Sequence, residues 1–174
     1  MANYGVIRMD SVPEKIRSAK HLVGSTETAI ENGNIVQVDV LISTANRELF
    51  KAIVPTAITN LNVGVVCTPE VIYDEALKST GALTKFINPA GKPITVAMPE
   101  VGKFLSISDE CITVINDDDD LPAVGSFVTV TQGSTKWTEK ASLGGTETLA
   151  GKIVARELYK KDTYLNTVEI VVGY

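Results

Sequence analysis

Short apolar runs separated by turn residues fill the chain from Glu31 to Ile115, and this alternation restricts the fold more than any other feature. The centre is Val63–Glu75, an apolar run broken by Pro69 and followed by acidic residues. Upstream lie Asn34–Leu41 and Arg47–Val54; downstream lie Pro93–Met98 and Gly102–Ile107. Each run is short and rich in β-branched or aromatic residues, which favours strands over helices. Asn32-Gly33 is a strong turn dipeptide, and Ile35, Val36, Val38 and Val40 follow with strand-like spacing. Asn60–Asn62 and Asn88–Gly91 mark later turns, Thr84–Asn88 reads as a further short strand, and Pro69–Leu77 as one helical turn or a strand running into a loop. Ser108–Ile112 has the residues of a single helical turn.

A sharp break comes at Asp117–Asp120, where four adjacent carboxylates repel one another and must stay hydrated. New strand signals follow at Gly125–Thr131, Thr135–Trp137, Leu149–Arg156 and Asn166–Val172, with turns at Gly144-Gly145 and Lys160–Asp162. The fold class expected is mainly β, a compact β-barrel or β-sandwich with short helical turns. Residues 1–24 are polar with weak periodicity and read as an extended N-terminal arm that gains order against a partner. Residues 25–116 then form the main β domain, 117–122 an acidic linker or loop, and 123–174 a C-terminal β segment packed on the same barrel. Within the arm, Tyr4, Val6, Ile7 and Met9 offer an apolar cluster and Arg17 a charge, making these five the candidate partner-binding residues.

The 174 residues suffice for a real core without staples. Net charge is −5, with 16 basic residues scattered among 21 acidic ones, which argues against a nucleic-acid partner. Neither a signal-peptide core nor the roughly 20 apolar residues of a membrane span occurs, so folding in a cytoplasm and no membrane partner are expected. Cys67 and Cys111 lie in apolar segments and read as buried thiols of a reducing compartment, although geometry alone decides whether they pair.

The residues of catalysis are sparse. His21 is the single histidine, far in sequence from either cysteine, and two Cys with one His do not make the usual zinc ligand set. The Asp117–Asp120 run lacks the alternating ligand spacing of a calcium loop. Glu70, Asp74 and Glu75 are close in sequence and could in principle form an acid/base pair, but sequence does not give the carboxylate separation and no aromatic sugar platform accompanies them. Glycine-rich phosphate loops are absent. Trp137 fits sheet packing first and an interface hot spot second. No cofactor and no enzymatic activity are expected.

The succession Glu31–Val36, Arg47–Ala52, Pro55–Ala57, Thr68–Glu75 and Phe86–Lys92 resembles capsid decoration (head auxiliary) proteins of tailed bacteriophages infecting Gram-positive bacteria. Val124–Val130, Gly151–Glu157 and the opening Met1–Met9 are similar to the same family. The resemblance implies a non-enzymatic virion protein, assembled in the host cytoplasm, on the outer capsid surface. It would bind the major capsid protein and brace neighbouring subunits; a second copy of itself, as a homo-oligomer, is the other candidate partner. No site motif is transferred with it. Two other readings compete: a tail or head–tail joining protein, and a small carbohydrate-binding module or hydrolase.

Overall fold

A computed structural model describes residues 3–9, 15–59, 61–70, 83–115, 121–160 and 163–174. Among these the chain is mainly β, with strands in two sheets and only isolated 3-10 turns between them. The first half supplies β1 (Ile7–Met9), β2 (Ile16–Val23), β3 (Thr26–Glu27), β4 (Ile35–Ser43), β5 (Asn46–Ile53), β6 (Val63–Val66) and β7 (Ile94–Ala97). The second half supplies β8 (Phe104–Ser108), β9 (Ile112–Thr113), β10 (Phe127–Thr129), β11 (Trp137–Lys140), β12 (Ala150–Lys160) and β13 (Thr163–Val172).

One sheet closes on itself. Its order is β3-β2-β5-β4-β6-β7, and β2 pairs with β7 as well as with β5. Five strands therefore form a ring, with β3 hooked onto β2. The β2–β5 seam is parallel and every other pair in the ring is antiparallel. Closure removes the free edges that an open sheet would expose. The barrel is narrow, and its filling shows how narrow: Ala19 on β2, Ala52 on β5, Val36 and Val38 on β4, Val66 on β6, and Ile94 and Val96 on β7. Gly64 faces the same crowding, because a Cβ there would sit 2.6 Å from the Ala97 carbonyl oxygen.

The other sheet runs β1-β8-β13-β12-β10-β11-β9 and stays open. One face carries Leu105, Ile107, Val128, Trp137, Ile153, Val168 and Ile170 into a second core. Ile35, Val63 and Val65 join that core from the outer face of the barrel. All four residues of β6 are buried, so the strand serves both cores at once. A continuous apolar run is what burial on both faces requires, and Val63–Val66 is such a run.

The N-terminal arm expected from the sequence is not an arm. Ile7–Met9 pairs with β8 at the edge of the open sheet, and Ile16–Val23 is a wall of the barrel. Val6 is fully buried and Ile7 nearly so. A barrel strand buries one face only, and here that face needs only the small Ala19 and the imidazole of His21; the remaining polar residues disguised the strand. The expected boundary at residue 24 therefore divides β2 from β3 within a single sheet. Thr84–Asn88 is likewise corrected: Leu83–Lys85 makes a 3-10 turn, and Asn88 contributes one bridge to Ile30. The helical turn expected near Ser108 is present at Asp109–Cys111. The acidic run Asp117–Asp120, most of Pro69–Leu77 and the Lys161-Asp162 turn lie outside the described residues.

Candidate functional site

The turn Glu31–Asn34 welds the two sheets. Gly33 takes a positive φ of 81°, and a Cβ there would also lie 2.6 Å from the Cys111 sulfur. Asn32 is fully buried and uses its whole amide: Nδ2 donates to the Thr68 carbonyl at 2.8 Å and to Glu70 Oε1 at 3.1 Å, while Oδ1 accepts from Thr68 N and Asn88 Nδ2. The Cys111 thiol donates to the Asn32 carbonyl at 3.3 Å. Glu31 accepts from the Gly5 amide at 2.8 Å, and Ser108 Oγ accepts from the Val6 amide at 3.0 Å. Buried polar groups specify a unique arrangement when they are satisfied; Asn32 meets that condition, while Asn34 Oδ1 in the same turn is buried without a partner. This constellation is structural: it fixes the N-terminal strand, the barrel and the open sheet to one turn.

Both cysteines are free thiols, Cys111 buried and Cys67 half-buried. Burial pushes Cys111 up to about 12 and Cys67 up to about 11, so neither is a thiolate nucleophile at neutral pH. Glu70 is engaged by Asn32; Asp74 and Glu75 lie outside the described residues. Trp137 is fully buried and packs in the second core, which excludes it from a surface hot spot. Among the described residues no three His, Cys, Asp or Glu side chains gather as a metal site, and no helix is long and apolar enough to cross a membrane.

Two of the surface clefts are lined by described residues. One, of about 190 Å3, is lined by Val114, Leu121 and Glu139. Glu139 Oε1 accepts from the Ala123 amide at 2.7 Å and Oε2 from the Ile115 amide at 3.2 Å. The chain on either side of the acidic run is thus tied to one carboxylate. Burial pushes that carboxyl up, but donation from Ser126, Ala123 and Ile115 outweighs it and holds the group below the usual carboxylate range. The other cleft, of about 440 Å3, lies on the outer wall of the barrel between Leu22, Asp39, Lys51 and Ile53. It is shallow and open, without the converging buried polar groups of a small-molecule site.

The five candidate binding residues do not meet. Val6 and Ile7 are core, Met9 packs half-buried against it, and Tyr4 is half-buried with its amide on the Thr84 carbonyl. Arg17 is exposed on the barrel, its guanidinium 5.4 Å from the centre of the Phe50 ring.

Exposed apolar residues lie on three segments joined by backbone bonds: the start of β2, the β7–β8 turn and the C-terminus. Ile16 is 45% exposed, Val101 57%, Phe104 39% and Tyr174 37%. Their backbone is held firmly: Met98 N donates to Lys15 O at 3.0 Å, Tyr174 N to Pro99 O at 3.0 Å, and Val101 N to Tyr174 O at 3.3 Å. Lys15 Nζ lies 4.7 Å from the centre of the Tyr174 ring. Burial raises the Tyr174 phenol, partly offset by the Val63 backbone. Lys15, Glu100 and Lys103 lie on the same segments, so charge accompanies the exposed apolar residues there. Sequence reasoning missed this set because its members come from three distant segments. No protein-family model, curated protein or solved structure matches this chain.

Proposed function

We propose that this protein is a structural virion component that binds the outer surface of a bacteriophage capsid and stabilises contacts between major capsid protein subunits. The observation that carries the reading is the set of exposed apolar residues Ile16, Val101, Phe104 and Tyr174, carried on segments whose backbones are bonded together. Burying such side chains against a partner is worth about 25 cal/mol per Å2 of apolar surface removed from water. The choice of partner rests on the resemblance carried by Glu31–Val36, Thr68–Glu75 and Phe86–Lys92. The bracing role is supported by the construction of the body, with two cores sharing the β6 wall and one buried turn tying both sheets together. A net charge of −5 suits the outside of a shell better than its DNA-lined interior.

The experiment is co-sedimentation of the purified protein with undecorated capsid shells, followed by electron microscopy of the bound particles. Saturable binding with regular density over the shell faces is expected. Density confined to one vertex, or to the tail, would overturn the reading in favour of a joining or tail component. Failure to bind at any concentration would remove the capsid surface as the partner.

A further inference from the structure

The single histidine of the chain lies inside the barrel, on the strand that closes it. His21 is 7% exposed and sits in parallel register with Ala52, with the equally small Ala19 two residues before it. Its Nδ1 lies 3.2 Å from the Thr28 carbonyl oxygen. A carbonyl only accepts, so Nδ1 carries the proton, and Nε2 is left as an acceptor. Nε2 is buried without any hydrogen-bond partner. The surrounding core is apolar, formed by Ile30, Val36, Val38, Val66 and Ile94.

A second proton on Nε2 would create a cation in this setting with nothing to receive its new N–H. Among the described residues, the charged side chains on the elements packed against it are engaged elsewhere or exposed, Lys92 before β7 among the exposed ones. Lys20 and Glu27 pair with each other at 2.8 Å on the outer side of β2 and β3. Lys51 of β5 and Asp39 of β4 line the outer-wall cleft. Arg47 and Glu48 are exposed near the β4–β5 turn, and Arg17 covers Phe50. Neither β6 nor β7 carries a charge. An isolated charge in an apolar interior is not tolerated; the group either stays neutral or leaves.

The way out is short. The turn after β2 is exposed, with Val23 52% exposed and Gly24 at a φ of 62°. The Thr28 amide donates to the His21 carbonyl at 3.1 Å, so His21 makes two of the bonds at the base of this hairpin, beside the Leu22–Glu27 and Val23–Thr26 pairing and the Lys20–Glu27 ion pair. From this geometry we infer that the β2–β3 hairpin is a proton-responsive latch: protonation of His21 expels the imidazole, opens the Lys20–His21 end of the parallel seam with β5 and frees the hairpin through residue 28. The direction agrees with burial lowering the His21 pKa against the carbonyls of Thr28 and Ala29. Opening then takes up a proton, which makes it more favourable by up to about tenfold per pH unit between 6.5 and the folded pKa.

The test uses the intact protein. With one histidine in the chain, its imidazole resonances are assigned without a variant. The titration midpoint in the folded protein is expected below 6.5. Amide exchange at residues 22–28, corrected for its intrinsic pH dependence, should accelerate by up to about tenfold per unit as pH falls through that window. Amides of β13 should keep their protection, and His21→Phe should abolish the acceleration. A midpoint at or above 6.5 with unchanged protection overturns the inference. So does equal acceleration in His21→Phe, or loss of β13 protection in step with the hairpin. If His21→Phe does not fold, the wild-type titration and the regional pattern of exchange decide the matter alone.

Discussion

The indole Nε1–H of Trp137 donates to the backbone carbonyl of Gly33 at 3.0 Å, across 104 residues of chain and between the two sheets. Both ends are buried, so neither has water as an alternative. Trp137→Phe keeps an aromatic ring but leaves the Gly33 carbonyl without this donor and opens a void beside Leu105 and Ile153. An unsatisfied buried acceptor costs about 1–3 kcal/mol, and the missing ring volume adds to it. A loss on the order of 2–4 kcal/mol is expected. Urea unfolding should show a lower midpoint with an unchanged slope. A variant within 0.5 kcal/mol, roughly the scatter of surface changes, would mean the bond contributes little.

The first residues of the chain are predicted to be essential to the fold. At Gly5 any Cβ would meet the Asn32 carbonyl oxygen and the Cys111 sulfur. Backbone and a buried thiol cannot both give way, so Gly5→Ala should destabilise by about 1–3 kcal/mol, the usual range for overpacking. Deleting residues 2–20 removes β1 and most of β2, leaving β5 and β7 with open edges. The truncated chain should lack a cooperative thermal transition. A cooperative melt near the wild-type temperature would restore the arm reading.

These two predictions mark what was and was not legible in the sequence. The mainly-β class and most strands from β4 to β13 were legible because β-branched runs alternate with Asn, Gly and Pro turns. β2 was not, because Ile16–Val23 buries only Ala19 and His21 on its barrel face, and its outward Lys20 breaks the apolar pattern. The parallel seam with β5 joins residues about thirty positions apart with no local signal. Trp137 was legible as a packing residue, its Gly33 partner was not. The set of exposed apolar residues was invisible because apolar residues in strands and turns do not announce which of them reach solvent.

Acid should weaken the β11–β12 connection through Glu147. Its side chain is almost wholly enclosed, with Oε1 accepting from Gly144 N at 2.8 Å and Oε2 from Thr146 N at 3.1 Å. The Gly144 amide foremost, then its own backbone, with Lys140 assisting against burial, pull the carboxyl down to about 2 from 4.5. A lowered folded pKa means stability that is fully present above 4.5 and is lost as pH falls from there through about 2. Thermal melts over that window should therefore fall more steeply for wild type than for Glu147→Gln. Parallel pH profiles would show that the loop releases the carboxylate without consequence.

The proposed docking surface gives the prediction that separates binding from folding. Val101 is more than half exposed in a turn, and Phe104 has its side chain on the outer side of β8, away from Leu105 and the second core. Replacing them together, Val101→Glu with Phe104→Ser, removes apolar contact area and places a carboxylate where a partner must pack. Changes at exposed positions of this kind usually stay within about 0.5 kcal/mol each, so the melting temperature should barely move. Binding to undecorated shells, if it depends on this surface, should weaken by at least about tenfold, since 1.4 kcal/mol is enough for that factor. Arg17→Ala serves as the contrasting variant, because its guanidinium lies over Phe50 on the barrel rather than within the proposed surface. Loss of binding in the double variant with retention in Arg17→Ala would locate the contact. The reverse outcome would return it to the barrel end and show that the exposed apolar residues around Tyr174 are not the docking surface.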